Sequence, residues 1–289
     1  MSTGDPLGLP SPPGDDLATE AVGVIRARTS LEPVAGVILG SGLGPAVEGI
    51  EEEAAFGYPD LPGFTATSVP GHAGRMVLGR LAGVPVAVFL GRMHYYEGNP
   101  MARSALPVQV SRLLGADAMV LTASVGALDA SLSPGTVVVG SDHINLMGEN
   151  PLLGWRRPDG SPPFVDLSAV YDPELARVAV EEAEAIGAPV ARGVYLAVSG
   201  PSYETPAEIE FMRRAGGSVV GMSVVPEAVP ARALGMRVLG LFSVTNPVGG
   251  EVSHQEVIRV GNQMGSVIGR LLAGVLPRLA AGVGTSEGG

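Results

Sequence analysis

The sequence contains no cysteine, and all 18 of its basic residues are arginine, so lysine is absent as well. Without cysteine there is no disulfide framework, no thiolate nucleophile and no cysteine-ligated zinc, a composition compatible with a reducing compartment. Without lysine there is no P-loop lysine, no Schiff base and no Ser-Lys catalysis. Any anion must then be held by arginine, histidine, serine or backbone amides. Positive charge is scarce altogether: 18 basic against 29 acidic residues leave a net charge of −11. Surfaces that bind nucleic acid or anionic membrane need clustered cations, so neither is an expected partner. Apolar runs are cut by Gly, Pro or Arg before they reach the ~20 residues of a membrane span. The opening MSTGDPLGLPSPPGDD has acidic, Pro and Gly residues where a signal peptide needs a basic start and an apolar run. The expected location is cytoplasmic.

What is present is ample core material: 46% hydrophobic and 16% charged residues in a chain of 289. At about 150 residues per domain this length allows one or two domains. The composition at 1–16 and 281–289 is that of frayed tails, which leaves a single domain over 17–280. Short runs rich in Val, Ile and Leu predict strands at 34–39, 76–81, 84–90, 118–122, 136–140, 190–199, 218–221 and 238–245. Segments of helical period predict helices at 17–29, 101–114, 173–186, 206–215, 227–234 and 254–279. Pro173 and Pro206 follow Asp172 and Thr205 as first-turn prolines follow N-caps. The alternation predicts an α/β fold: one domain with a central mixed, mostly parallel twisted β-sheet flanked by helices. The long aperiodic stretch 145–168, with Trp155, Arg156, Arg157 and four prolines, reads as a lid or an intersubunit loop.

Polar and glycine-rich clusters fall directly after predicted strands, and in a parallel sheet those C-terminal ends line one crevice where ligands bind. Gly40-Ser-Gly-Leu-Gly44 reads either as a phosphate nest with Ser41 as a donor or as a tight turn. A dinucleotide motif would need Gly where Pro45 stands. In Gly91-Arg-Met-His-Tyr-Tyr-Glu-Gly98, an extended backbone puts Arg92, His94 and Tyr96 on one side, which suits an oxyanion. The plainer alternative pairs Arg92 with Glu97 or another carboxylate and makes His94 structural. Glu204, with Asn246 at another strand end, can read a nitrogen heterocycle, the carboxylate accepting from ring N–H groups. Equally, Glu204 can serve the positive end of a helix capped by Ser202 or Thr205. The four histidines, His72, His94, His143 and His254, show no metal-ligand spacing, and Ser41 is not in G-x-S-x-G. Metal-free, non-covalent chemistry is expected, and the Met residues at 212, 222 and 236 read as core apart from Met222.

Together with Pro70-Gly-His-Ala-Gly74, Ser141-Asp-His-Ile-Asn-Leu146 and Gly221-Met-Ser-Val-Val-Pro-Glu227, these motifs resemble the trimeric purine nucleoside phosphorylase and methylthioadenosine phosphorylase family from about Val34 to Arg270. The resemblance implies phosphate bound by Ser41, His72, Arg92, His94, Ser124 and Ser223. It implies a nucleoside held by Tyr96, Tyr203, Glu204, Met222, Asn246 and His254, with Phe164 lent by the neighbouring subunit of a homotrimer. Catalysis falls to Asn246, His94 and Glu204, with no cofactor, no metal, and inorganic phosphate as co-substrate. The implied reaction is reversible phosphorolysis of 6-oxopurine nucleosides such as inosine and guanosine. The alternatives are a methylthio-nucleoside phosphorylase and a catalytically impaired nucleoside- or phosphate-binding protein. The chain departs from the family's T-N-A-A-G-G-L at Thr122-Ala-Ser-Val-Gly-Ala-Leu128, has a short span from Asn246 to His254, and places Pro247 after Asn246.

Overall fold

A computed structural model describes residues 8–12, 16–68, 71–249 and 254–283, with the side chains of His254 and Val283 outside the description. The Val/Ile/Leu runs form strands β1 (Ala35–Ile38), β2 (Glu51–Gly57), β3 (Arg75–Leu81), β4 (Val84–Leu90), β5 (Ala118–Ala127), β6 (Val137–Leu146), β7 (Val190–Val198), β8 (Val219–Gly221) and β9 (Arg237–Pro247). The periodic segments form α1 (Leu17–Arg26), α2 (Met101–Ser104), α3 (Leu106–Leu113), α4 (Pro173–Ala185), α5 (Pro206–Arg214), α6 (Val225–Ala233) and α7 (His254–Val283). The result is a single α/β layer structure around one mixed sheet of order β2-β3-β4-β1-β5-β8-β7-β6-β9, in which β5 also pairs with β9. Pairings β1–β4, β1–β5, β5–β9, β6–β7 and β7–β8 are parallel, and the other four are antiparallel. Because β5 has both β8 and β9 as neighbours, strands β5, β8, β7, β6 and β9 close into a ring.

Side-chain alternation along the strands divides the core between two faces. On β4, Ala87 and Phe89 join a layer with Ile25 of α1, Val108 of α3 and Val229 of α6. Val86 and Val88 join the opposite layer, with Leu175 of α4 and Ile268 and Leu272 of α7. Burying both faces is what the nearly uninterrupted apolar strands require.

Several expectations are corrected. The sequence pattern omits β2, an edge strand whose Glu51, Glu52 and Glu53 are exposed, so it shows no apolar run. β5 and β6 run well past the predicted ends, since their polar continuations pair with β8, β9 and β7. The predicted helix at 101–114 is broken at Ala105, because Pro107 has no N–H to continue the ladder. Ser11, placed by composition in a frayed tail, exchanges backbone hydrogen bonds with Arg156 at 3.0 and 2.9 Å, and α7 continues through Val283, beyond the predicted domain end. The rest of both predicted tails, 1–7, 13–15 and 284–289, lies outside the described residues. Among the described residues, one helix, Gln255–Gly282, is long and apolar enough to cross a membrane. Its Ile268, Leu271, Leu272, Val275 and Leu276 are fully buried against the sheet, and Arg259, Arg270 and Arg278 interrupt it, which is the pattern of a core helix.

The clusters do not come from one parallel edge either. β7 and β8 run opposite to β5, yet Gly200–Thr205 and Met222–Ser223 meet the residues of β5 and β9 because the ring folds those strands around a shared cavity.

Candidate active site

A cavity of about 260 Å³ is lined by Ser41, by Arg92, His94 and Tyr96, by Ser124 and Gly126 of β5, and by Tyr203, Glu204 and Ile209. Val220, Met222, Ser223, Thr245, Asn246 and Val248 complete its wall. The sequence-predicted residues are thus brought together from six separate segments.

One end is built for an oxyanion. Arg92, only 3% exposed, is held along one edge by Glu227: Nε donates to Oε1 at 2.8 Å and Nη2 to Oε2 at 3.3 Å. Nη2 also donates to Thr122 O at 2.9 Å and Nη1 to Ser223 Oγ at 3.2 Å. A guanidinium has five N–H groups, so one Nη1 proton is left for a ligand. His72 does not line the cavity but stands behind Ser41. Its Nδ1 accepts from Arg92 N at 2.9 Å, which places the ring proton on Nε2, and Nε2 is 2.8 Å from Ser41 Oγ. Ser41 therefore accepts from His72 and keeps its own proton for an acceptor in the cavity. Burial, reinforced by His94 and Arg92, pulls the His72 pKa down to about 3, so this neutral tautomer holds at physiological pH. Gly91 makes the arrangement possible: it has φ +108°, and a Cβ there would lie 2.6 Å from His72 Cβ.

His94 is also buried, and burial lowers its pKa against the opposing pull of Glu97. Glu97 Oε1 accepts from His94 N at 2.9 Å and faces Nδ1 at 3.2 Å, which turns Nε2 to the other side of the ring. Burial alone would raise Glu97, but hydrogen bonds from His94 and Ser68 bring it down to about 2. Tyr96 stacks on His94, with ring centroids 4.6 Å apart. Ser223 is fixed by Tyr195, whose OH accepts from Ser223 N at 3.2 Å. It opens a γ-turn in which Val225 N donates to Ser223 O at 2.8 Å, forcing the β-branched Val224 to φ 69° and ψ −55°. Such strain persists only where surrounding packing over-determines it, and it concentrates at functional sites.

The other end is less polar. Glu204 is half-buried, and burial, with Glu208 adding to it, raises its pKa. The reciprocal cap of α5 does not use the Glu204 carboxylate: Thr205 Oγ1 accepts from Glu208 N, and Glu208 returns the bond to Thr205 N at 2.7 Å. That leaves Glu204 facing the cavity beside Tyr203, Ile209 and Val220. Asn246 Oδ1 accepts from Thr245 Oγ1 at 2.8 Å and its Nδ2 donates to Pro247 O at 3.1 Å, so its amide plane is oriented from both ends.

Besides His72, two residues named from the sequence are not placed at the cavity. Phe164 is 87% exposed in the aperiodic stretch and is not among the lining residues. His254 begins α7, but its side chain lies outside the described residues, as does Pro70. Among the described residues, no group of three or more His, Asp or Glu side chains is placed to hold a metal.

Residues 34–277 match the family model described as the phosphorylase superfamily. The chain belongs to that superfamily. Curated relatives include purine nucleoside phosphorylase 1 of Bacillus subtilis, 42% identical over 85% of this chain and 92% of that protein. The purine nucleoside phosphorylase of Mycobacterium tuberculosis is 40% identical over 93% and 98% of the two chains. Among solved structures, a Schistosoma purine nucleoside phosphorylase in complex with hypoxanthine aligns with TM-score 0.84 at 35% identity, covering 91% of this chain and 96% of that one.

Within this phosphorylase, sequence reasoning missed Glu227, Thr122 and Tyr195 as parts of the site. Glu227 carried a readable signal, a lone carboxylate in the apolar run Val224–Pro230, where a buried charge demands a partner. Thr122 and Tyr195 sit inside strands and look like ordinary β-formers.

Proposed function

We propose that this phosphorylase catalyses reversible phosphorolysis of purine nucleosides, giving free base and ribose 1-phosphate. The observation that carries the reading is one cavity with two unlike ends: donors of Ser41, Arg92 and Ser223 for phosphate, with His94 a further donor once it is protonated beside the anion, and a carboxylate-amide pair, Glu204 and Asn246, for a base. Phosphate attacks C1′ as the glycosidic bond breaks, C1′–O forms, and the bonding electrons leave with the purine. Positioning and electrostatics supply the rate. Asn246 stabilises the charge that develops at purine N7, while Glu204 accepts from the ring N–H of a 6-oxopurine and so favours inosine and guanosine. Tyr96 and Met222 border the ribose, and Tyr203 packs on the base. No metal or organic cofactor is required; phosphate is the co-substrate.

The proposed setting is purine salvage in the cytoplasm, and the proposed assembly is a homotrimer. Its support is the exposed Phe164 and Leu153 on the aperiodic stretch, apolar surface that a neighbouring subunit would cover. Sedimentation of the full chain as a monomer would overturn it.

The primary test is hypoxanthine release from inosine with and without inorganic phosphate. Strict phosphate dependence is expected; phosphate-independent release would mean a hydrolase. Replacing Asn246 with Ala should lower kcat by about 10²–10³ while changing the inosine KM far less. Near-normal turnover would remove the assigned role.

A further inference from the structure

On β5 the side chains of Thr122 and Ser124 lie two residues apart on the same side of the strand. Both commit their hydroxyls to the backbone that carries Ser41. Thr122 Oγ1 donates to Ile38 O at 3.1 Å and accepts from Gly40 N at 3.0 Å. Ser124 Oγ donates to Ser41 O at 2.8 Å. From the other side α7 presses on the same turn: a Cβ at Gly261 would lie 2.6 Å from Ser41 O, and one at Gly42, which has φ +77°, would lie 2.7 Å from Ile258 O. The Ser41 carbonyl thus sits in a slot between β5 and α7, while the Ser41 hydroxyl is held by His72.

We propose that Ser124 is a positioning residue for the anion-binding loop: its hydroxyl holds the Ser41 carbonyl and thereby aims the Ser41 hydroxyl into the cavity. A hydroxyl has one proton, and a phosphate oxygen needs a donor; the proton spent on Ser41 O is not available to phosphate. The role of this hydroxyl is separate from the phosphate contact that the family resemblance implies at position 124. The contact is a property of this chain, since the motif it departs from has a residue without a hydroxyl at this position. Ser124 gives the loop a fixed hydrogen bond, a preorganisation that lowers the ordering cost of binding. The inference rests on the phosphorolysis reading, because it takes the anion to be inorganic phosphate.

The test varies phosphate and inosine separately in steady-state kinetics of the wild-type chain, Ser124→Ala, Ser124→Thr, Ser41→Ala and the Ser41→Ala/Ser124→Ala double variant. The phosphate concentration that gives half-maximal thermal stabilisation is read alongside. Ser124→Ala should raise the phosphate KM about three- to tenfold, the range of one net hydrogen bond, and leave the inosine KM within about twofold. Ser124→Thr, which keeps the hydroxyl, should recover most of the loss. In the Ser41→Ala background Ser124→Ala should add less than about twofold, since residues acting through one another are not additive. An unchanged phosphate KM in Ser124→Ala would overturn the proposal. So would a full additive loss in the Ser41→Ala background, the signature of direct contact with phosphate. A wild-type chain that phosphate stabilises but that releases no base would overturn the phosphorolysis reading alone, with the bracing then judged on the stabilisation midpoints. A wild-type chain that phosphate does not stabilise would overturn both.

Discussion

Arg92 and Glu227 are buried together, and neither charge has water to fall back on. The pair leaves the site with little net positive charge of its own, so phosphate is met by aimed donors more than by a cationic field. Removing one partner of such a pair leaves the other charge uncompensated, at a cost of about 3–5 kcal/mol. Glu227→Gln should therefore lower the denaturation midpoint markedly and, because Nη1 is no longer aimed, raise the phosphate KM by about an order of magnitude. An unchanged phosphate KM would mean that Arg92 is placed by Thr122 and Ser223 alone. Glu204 permits a second prediction. Its carboxylate accepts from the N1–H of a 6-oxopurine, whereas adenine presents a lone pair at N1 and needs a protonated carboxyl. Since burial raises its pKa, the neutral form becomes available as pH falls. The adenosine-to-inosine rate ratio should rise at acidic pH, and Glu204→Gln should flatten that dependence; a ratio independent of pH would remove Glu204 from base reading. At this scale the sequence is legible where chemistry is unusual, as in the Arg92/His94/Tyr96 run, and silent where a plain Thr or Tyr inside a strand acts through a neighbour.

Helix α5 forms part of the wall at the base end, and its start is fixed by a reciprocal pair of bonds between Thr205 and Glu208 with Pro206 in the first turn. Thr205→Ala should cost about 1 kcal/mol of stability and, by letting the first turn fray, raise the inosine KM more than the phosphate KM. Equal effects on both constants, measured in the same assay, would show that α5 does not report on the base end alone. Element existence was readable from apolar runs and proline positions, since local propensity and tertiary environment agree there. What was not readable is closure. The polar continuations of β5 and β6 look like loop chemistry, and only pairing with the distant β9, β8 and β7 makes them strands. The predicted single edge fails for the same reason, because strand direction in the ring is set by pairings that no local pattern encodes.

Across the whole molecule, three histidines, His72, His94 and His143, are held neutral chiefly by burial, His72 down to about 3. An unfolded imidazole titrates near its ordinary 6.5. As pH falls below that value the unfolded chain takes up protons that the folded chain refuses, so stability declines with pH. Glu97 adds a later loss: the stability it contributes is present above its ordinary 4.5 and disappears as pH falls through about 2. Denaturant unfolding between about pH 7 and pH 5 should show a steady fall in midpoint before most carboxylates titrate, and His72→Asn should reduce the slope. Saturating phosphate should oppose the fall, because a bound anion beside His94 and Arg92 favours the protonated imidazole and stabilises the folded state that binds it. A midpoint that rises as pH falls across this window without phosphate would mean the imidazoles are already charged in the folded protein. The anion end would then attract phosphate by cationic charge, and the salt dependence of the phosphate KM would be steep where the neutral site requires it to be shallow.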